Sequence, residues 1–258
     1  MTFYGIPKEE QGEALNLSLE IVALFKKYDR PIIHADNMLL ALRETSFMND
    51  EYFASAIRKY CFDSENEVII DNMAKFWRLH IYTWCCDQAM RLDGSLVECG
   101  VHMGLYSLTM MRSLNFANSG KEMYLYDTFE GLADGQASEQ ERATVADIYD
   151  IPNWEADVRD SFSGYPEAYI IRGTIPDILK EKAPQAVSFL HLDLNSHIAE
   201  KSAFEFFQPR LVPGAFILLD DFGRTEYKEM NIMYNEMFAA LGHRILELPT
   251  GQGLVIWN

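Results

Sequence analysis

The pattern of apolar positions changes character near residue 95. Before it, Lys8–Tyr28, Asn37–Tyr60 and Asn72–Arg91 read as helices, separated by the breaks Asp-Arg-Pro-Ile and Asp-Ser-Glu-Asn. In the third, Phe76, Leu79, His80, Tyr82, Thr83 and Cys86 recur at three- and four-residue spacing, the stripe of a helix that packs on a core or roofs a pocket. From Ser95 onward short apolar runs alternate with helical segments. Strands are expected at 95–100, 122–126, 168–171, 187–193 and 214–219, and helices at 104–117, 175–182, 198–207 and 226–240. This alternation predicts an α/β fold, a mostly parallel sheet covered on both faces. Two closing strands, at 243–247 and 253–257, are joined by Pro-Thr-Gly-Gln, short enough for a hairpin, so the last strand should run antiparallel. The organisation expected is an N-terminal helical region over 1–92 packed on a second domain over 93–258. A polar connection over 134–164 is far longer than most in such a domain. Ala137–Ile148 has helical composition, and Trp154, Phe162 and Tyr165 offer anchors for a lid, the alternative being a surface insertion.

Candidate chemistry concentrates where strands end, because parallel sheets bind ligands at their carboxyl edges. The run Ser95–Gly104, S-L-V-E-C-G-V-H-M-G, ends a strand with an acid and two spaced glycines, making Glu98, Cys99, Gly100 and Gly104 cofactor candidates. Glycines there let backbone approach a ligand closely. The spacing G-x-x-x-G is not the dinucleotide fingerprint, so a nucleoside without a diphosphate suits it better, S-adenosylmethionine being the commonest. A purely structural turn is the other reading. Asp127 closes the next strand, where it either accepts from ribose hydroxyls or caps a turn. Thr128, Phe129, Gly173 and Thr174 complete the candidate cofactor set. Asp193 and the pair Asp220-Asp221 end two apolar strands and would gather three carboxylates at one rim, a cost that a divalent cation relieves. All-oxygen ligation points to Mg²⁺, with Mn²⁺ or Ca²⁺ possible and solvated caps as the alternative. For proton transfer Asp193 is the first candidate base and His197 the second. His191, inside an apolar strand, reads as a core histidine.

Composition narrows the partners. With 22 Lys+Arg against 39 Asp+Glu, a formal charge of −17 repels nucleic-acid phosphates and anionic membranes. Neither a signal peptide nor a membrane-length apolar run is recognisable, and Cys61, Cys85, Cys86 and Cys99 lack metal-knuckle spacing. A reduced, cytoplasmic setting is expected, with a homo-oligomer left open.

In order along the chain stand L-V-E-C-G-V-H-M-G, Y-D-T-F-E-G-L, F-L-H-L-D-L-N-S-H, L-V-P-G-A-F-I-L-L-D-D-F and G-Q-G-L-V-I-W. Over roughly residues 70–258 this resembles the macrocin O-methyltransferase family, metal- and S-adenosylmethionine-dependent enzymes that methylate sugar hydroxyls. The closing hairpin is likewise a class I methyltransferase trait. The resemblance implies that Glu98, Gly100 and Gly104 line the methionine moiety, that Asp127 holds the ribose, and that Asp193, Asp220 and Asp221 bind Mg²⁺. It implies a small-molecule hydroxyl substrate, a sugar moiety. Where the family shows G-V-W-R-G-G this chain has Gly100-Val101-His102-Met103-Gly104-Leu105. Where the family shows D-G-D-L-Y-E-S it has Asp193-Leu194-Asn195-Ser196-His197-Ile198-Ala199. These departures put the methionine pocket and the substrate contacts in question. They also keep open a nucleoside-binding protein of the same fold without transfer activity. A different nucleotide-dependent enzyme, such as a reductase, is disfavoured by the missing G-x-G-x-x-G.

Overall fold

A computed structural model describes residues 9–27, 32–36, 38–41, 44, 46–55, 75–145 and 154–258. Parts of the expected N-terminal helices (8, 28, 37, 42–43, 45, 56–60 and 72–74), together with Cys61 and residues 146–153 of the long connection, lie outside the described residues. The chain divides into two compact units, Met1–His80 and Ile81–Asn258.

In the first unit helix α1 spans Gln11–Lys27, as its periodicity predicts. The helix expected from Asn37 is replaced by a hairpin of β1, Ile32–Ala35, and β2, Met38–Ala41, with Ala35 opposite Met38. Asp36 opens the turn at φ 52°, a left-handed conformation that Asp tolerates better than most residues. Two apolar quartets therefore pair with each other, and runs this short carry no periodicity that separates strand from helix. Residues 51–55 are helical and are labelled α2. The Asp36 carboxylate accepts from the backbone N–H of Trp77 (2.8 Å) and Arg78 (3.3 Å), capping helix α3, Phe76–Ala89. Burial outweighs those bonds and the nearby Arg78 and Lys75, and raises the Asp36 carboxyl to about 6.

The second unit is built on a seven-stranded sheet. Its strands are β3 (Ser95–Cys99), β4 (Met123–Asp127), β5 (Ala168–Arg172), β6 (Val187–Leu192), β7 (Leu211–Leu219), β8 (Leu246–Glu247) and β9 (Gly253–Ile256), in the order β5-β4-β3-β6-β7-β9-β8. All pairs from β5 to β7 are parallel, while β9 runs antiparallel to β7 and to β8. The hairpin expectation holds. The connecting helices are α4 (Leu105–Ser113), α5 (Glu139–Val145), α6 (Trp154–Ser161), α7 (Asp177–Glu181), α8 (His197–Phe207) and α9 (Lys228–Ala240). All six residues of β6 are buried, which is why this strand reads as a continuous apolar run. One apolar cluster joins Leu190 and Leu192 of β6 and Ile217 and Leu219 of β7 to Phe204 and Phe207 of α8 and to Tyr234 and Phe238 of α9. The strand order reverses between β3 and β6, and that crevice is where such sheets bind ligands.

Candidate functional site

At the reversal the chains leaving β3 and β6 nearly touch. The Asp193 N–H donates to the Cys99 carbonyl (2.9 Å) and the Gly100 N–H to the Tyr126 carbonyl (2.8 Å), so the ladder persists one residue beyond the strands. Gly100 has φ +94°, and a Cβ there would lie 1.8 Å from the Asp193 backbone oxygen. Gly104 has φ +75°, and its Cβ would meet the Phe162 ring at 2.6 Å. Both glycines are thus demanded by the protein's own packing, Gly100 by the backbone leaving the neighbouring parallel strand β6 and Gly104 by an aromatic ring of the long connection.

A cleft open to solvent lies on this edge. Of the expected residues Gly100, Asp127, Thr128, Gly173 and Asp193 line it. Glu98, Cys99, Gly104, Phe129, Thr174, His197, Asp220 and Asp221 are not among its lining. The sequence reading missed Tyr126, Gln136, Ile175 and Ser196, which line it from the end of β4 and from loops with no distinctive spacing. Asp127 is occupied by the protein first. Its Oδ2 accepts from the Val101 and His102 N–H groups (2.8 Å each) and its Oδ1 from the Phe129 N–H (2.7 Å). A carboxylate accepts about four hydrogen bonds, so roughly one place is left for a ribose hydroxyl where two were expected.

Glu98 turns away from the cleft into a buried polar network. It is the register partner of His191 on β6. Its Oε1 lies 3.2 Å from His191 Nδ1, and its Oε2 accepts from the Tyr82 hydroxyl at 3.3 Å. His191 Nε2 faces Asp220 Oδ1 at 3.7 Å and has no hydrogen-bond partner among the described residues. Asp220 Oδ1 in turn accepts from Gln252 Nε2 (2.9 Å) and the Tyr106 hydroxyl (3.3 Å). Glu98, His191 and Asp220 are each at most 1% exposed. Burial alone would lower the imidazole, but the carboxylates of Asp220 and Glu98 outweigh it and raise His191 to about 10. His191 is buried and hydrogen-bonded, as a core histidine should be, and it also stands between two carboxylates of the sheet edge. One ligand atom each from His191, Asp193 and Asp220 lie within 4.8 Å of one another, the spacing a metal ion needs. Asp221 is not in that group; its Oδ1 lies 3.4 Å from Arg224 Nη1.

The turn after β6 is fixed from behind. Glu200 on α8 is fully buried and accepts from the Leu194 N–H (2.9 Å) and the Tyr234 hydroxyl (2.6 Å). Burial first, helped by Asp221 and Asp193, raises its carboxyl to about 8 against those donors. Asn195 sits at φ +53°, accepts from the Tyr227 hydroxyl and directs Nδ2 to Asp193 Oδ1 at 3.4 Å, where an acid would repel. His197 does not join Asp193. Its backbone N–H (2.8 Å) and Nδ1 (2.9 Å) both reach Glu141 Oε1 on α5. Glu141 also takes the Ser138 N–H (2.8 Å) and Ser138 Oγ the Glu141 N–H (3.2 Å), a capping box that starts α5. Burial opposes the Glu141 charge, yet these donors lower its carboxyl below the usual range. The long connection is thereby tied to the beginning of α8.

A mostly parallel sheet with an antiparallel closing strand and a cleft at its reversal point is the fold of class I S-adenosylmethionine-dependent methyltransferases. Similar structures share this fold. The O-methyltransferase NovP superposes with a TM-score of 0.66 at 15% identity, over 83% of this chain and 100% of NovP. The calicheamicin methyltransferase CalS11 gives 0.60 at 13%, over 84% and 95%. The model of the macrocin-O-methyltransferase (TylF) family matches residues 27–239, and the chain belongs to that family of O-methyltransferases. A curated relative from Streptomyces olivaceus is 24% identical over 212 residues, 73% of this chain and 80% of the relative. It is the 8-demethyl-8-(2,3-dimethoxy-alpha-L-rhamnosyl)-tetracenomycin-C 4'-O-methyltransferase.

Proposed function

We propose that the protein methylates a sugar hydroxyl of a small natural product, with a divalent cation at the Asp193–Asp220 edge. The observation that carries this is the meeting, at one switch point, of the cleft lined by Gly100, Asp127 and Asp193 with the buried donor group that includes Asp193. The sugar is argued from the curated relative, which by its name methylates a rhamnosyl group. S-adenosylmethionine supplies an electrophilic methyl group, and the hydroxyl oxygen gains the methyl carbon as the carbon–sulfur bond breaks. A cation held by Asp193 and Asp220 would act as a Lewis acid that lowers the hydroxyl pKa. Asp193 and Asp220 supply carboxylate oxygens of the kind that divalent cations take.

The chain's own residues do the positioning. Asp127 holds the turn after β3 through three amides and offers its remaining acceptor to the ribose. Gly173 and Thr128 form the wall beyond it. Asp193 faces the cleft from the other side of the crevice and takes the hydroxyl proton. A second base has an observation of its own: His197 is oriented through Nδ1 by the buried Glu141 carboxylate, as a general base commonly is.

The test is methyl transfer from S-adenosylmethionine to rhamnosylated or other glycosylated acceptors, with and without EDTA. Asp193→Asn should retain cofactor affinity and lose turnover, whereas His197→Gln should keep most of it. Full activity in EDTA removes the cation from the mechanism. A fully active Asp193→Asn with an inactive His197→Gln moves the base to His197.

A further inference from the structure

We propose that His191 is itself a ligand of the cation, so that the site is a His-Asp-Asp set which prefers an imidazole-accepting first-row transition ion to Mg²⁺. The inference rests on the proposed function for the existence of the cation and goes beyond it in naming the third ligand and the ion class. Three observations carry it. His191 Nε2 is fully buried, has no hydrogen-bond partner among the described residues, and points at Asp220 Oδ1 from 3.7 Å. Its other nitrogen, Nδ1, lies 3.2 Å from the Glu98 carboxylate, the outer partner that metal-bound histidines almost always have, and one that fixes which nitrogen faces the ion. The ring cannot swing away: Tyr82 and Tyr106 stand edge-on to it with centroids at 4.9 and 5.2 Å, and Phe189 stacks at 6.3 Å.

Asp221, the residue a sequence reading pairs with Asp220, lies outside this group and faces Arg224. Nitrogen is the deciding donor. Carboxylate and water oxygens suit Mg²⁺, whereas an imidazole suits the borderline ions Fe²⁺, Co²⁺ and Zn²⁺. An ion here would stand between Asp220 and Asp193 as the positive charge, with Glu98 holding the ring and Gln252 and Tyr106 holding Asp220 from behind.

The test titrates the metal-free full-length protein with Co²⁺ and with Mg²⁺ by calorimetry and follows the visible Co²⁺ spectrum. S-adenosylmethionine binding is measured on the same samples. Any oxygen site favours Co²⁺ somewhat, so the readout is the change in the Co²⁺:Mg²⁺ affinity ratio on substitution. His191→Phe should lower that ratio at least roughly tenfold by weakening Co²⁺ while leaving Mg²⁺ near its original affinity. Glu98→Gln should weaken Co²⁺ by roughly 10- to 100-fold in the same direction. Should His191→Phe fail to fold, pulsed EPR of the Mn²⁺-loaded unaltered protein decides: nitrogen coupling from an imidazole supports the assignment and its absence overturns it. An unchanged ratio in folded His191→Phe overturns the inference alone. No ion binding to the unaltered protein, with S-adenosylmethionine binding intact, overturns both the inference and the cation in the proposed function.

Discussion

Gly100→Ala tests the central claim about the switch point, that its glycine is required by the close approach of the backbone leaving β6. The added methyl would be built 1.8 Å from the Asp193 carbonyl oxygen and 2.6 Å from its carbon, both backbone atoms that cannot rotate away. Overpacking of this kind costs about 1–3 kcal/mol or more, since β3 and β6 must separate to relieve it. The backbone at φ +94° adds about 1–3 kcal/mol for a residue with a Cβ. Gly120→Ala is the control, because Gly120 also has positive φ (+70°) but nothing within 4 Å of its would-be Cβ. In urea unfolding of the ligand-free protein, Gly120→Ala should lose about 1–2 kcal/mol. Gly100→Ala should lose about 3–5 kcal/mol, and the displaced Asp193 should bind a divalent ion more weakly. Equal midpoints for the two variants, with cofactor binding lost only in Gly100→Ala, would refute the reasoning and return the glycine to ligand clearance.

Glu200→Ala should destabilise by about 2–4 kcal/mol, as it strands the Leu194 N–H and the Tyr234 hydroxyl in the interior, while Glu200→Gln keeps an acceptor and should cost under about half of that; thermal unfolding of the pair checks it. Asp36 binds its proton more tightly folded than unfolded, so its contribution favours the fold at low pH and is lost as pH rises from the usual 3.8 towards about 6, a change on the order of 3 kcal/mol. Asp36→Asn should remove that part of the pH dependence, and an unchanged stability–pH profile would show that Asp36 is not the group responsible. Asp127→Ala should both weaken S-adenosylmethionine and lower stability in its absence, because three amides lose their acceptor; a loss of affinity alone would make Asp127 a ligand contact only.

The sequence by itself determined the second unit well. Long alternating runs carry their own periodicity, so the strands at 187–192 and 253–256, the helix at 197–207 and the antiparallel ending follow from local pattern and turn length. It also delivered Asp127 and Asp193 to the cleft, because the carboxyl ends of parallel strands share one edge whatever the side chains between them. The hairpin at Ile32–Ala41 was not legible, since four-residue apolar runs have no period and only pairing across Asp36 decides between strand and helix. Partnership inside the site was likewise decided by tertiary structure alone. Glu98 and His191 are 93 residues apart and meet because β3 and β6 are adjacent and in register. The strand-end rule marks which residues reach the edge, but the register of neighbouring strands decides which face each side chain takes. That is why Glu98 serves His191 and not the cleft, and why a residue read as core stands beside Asp220.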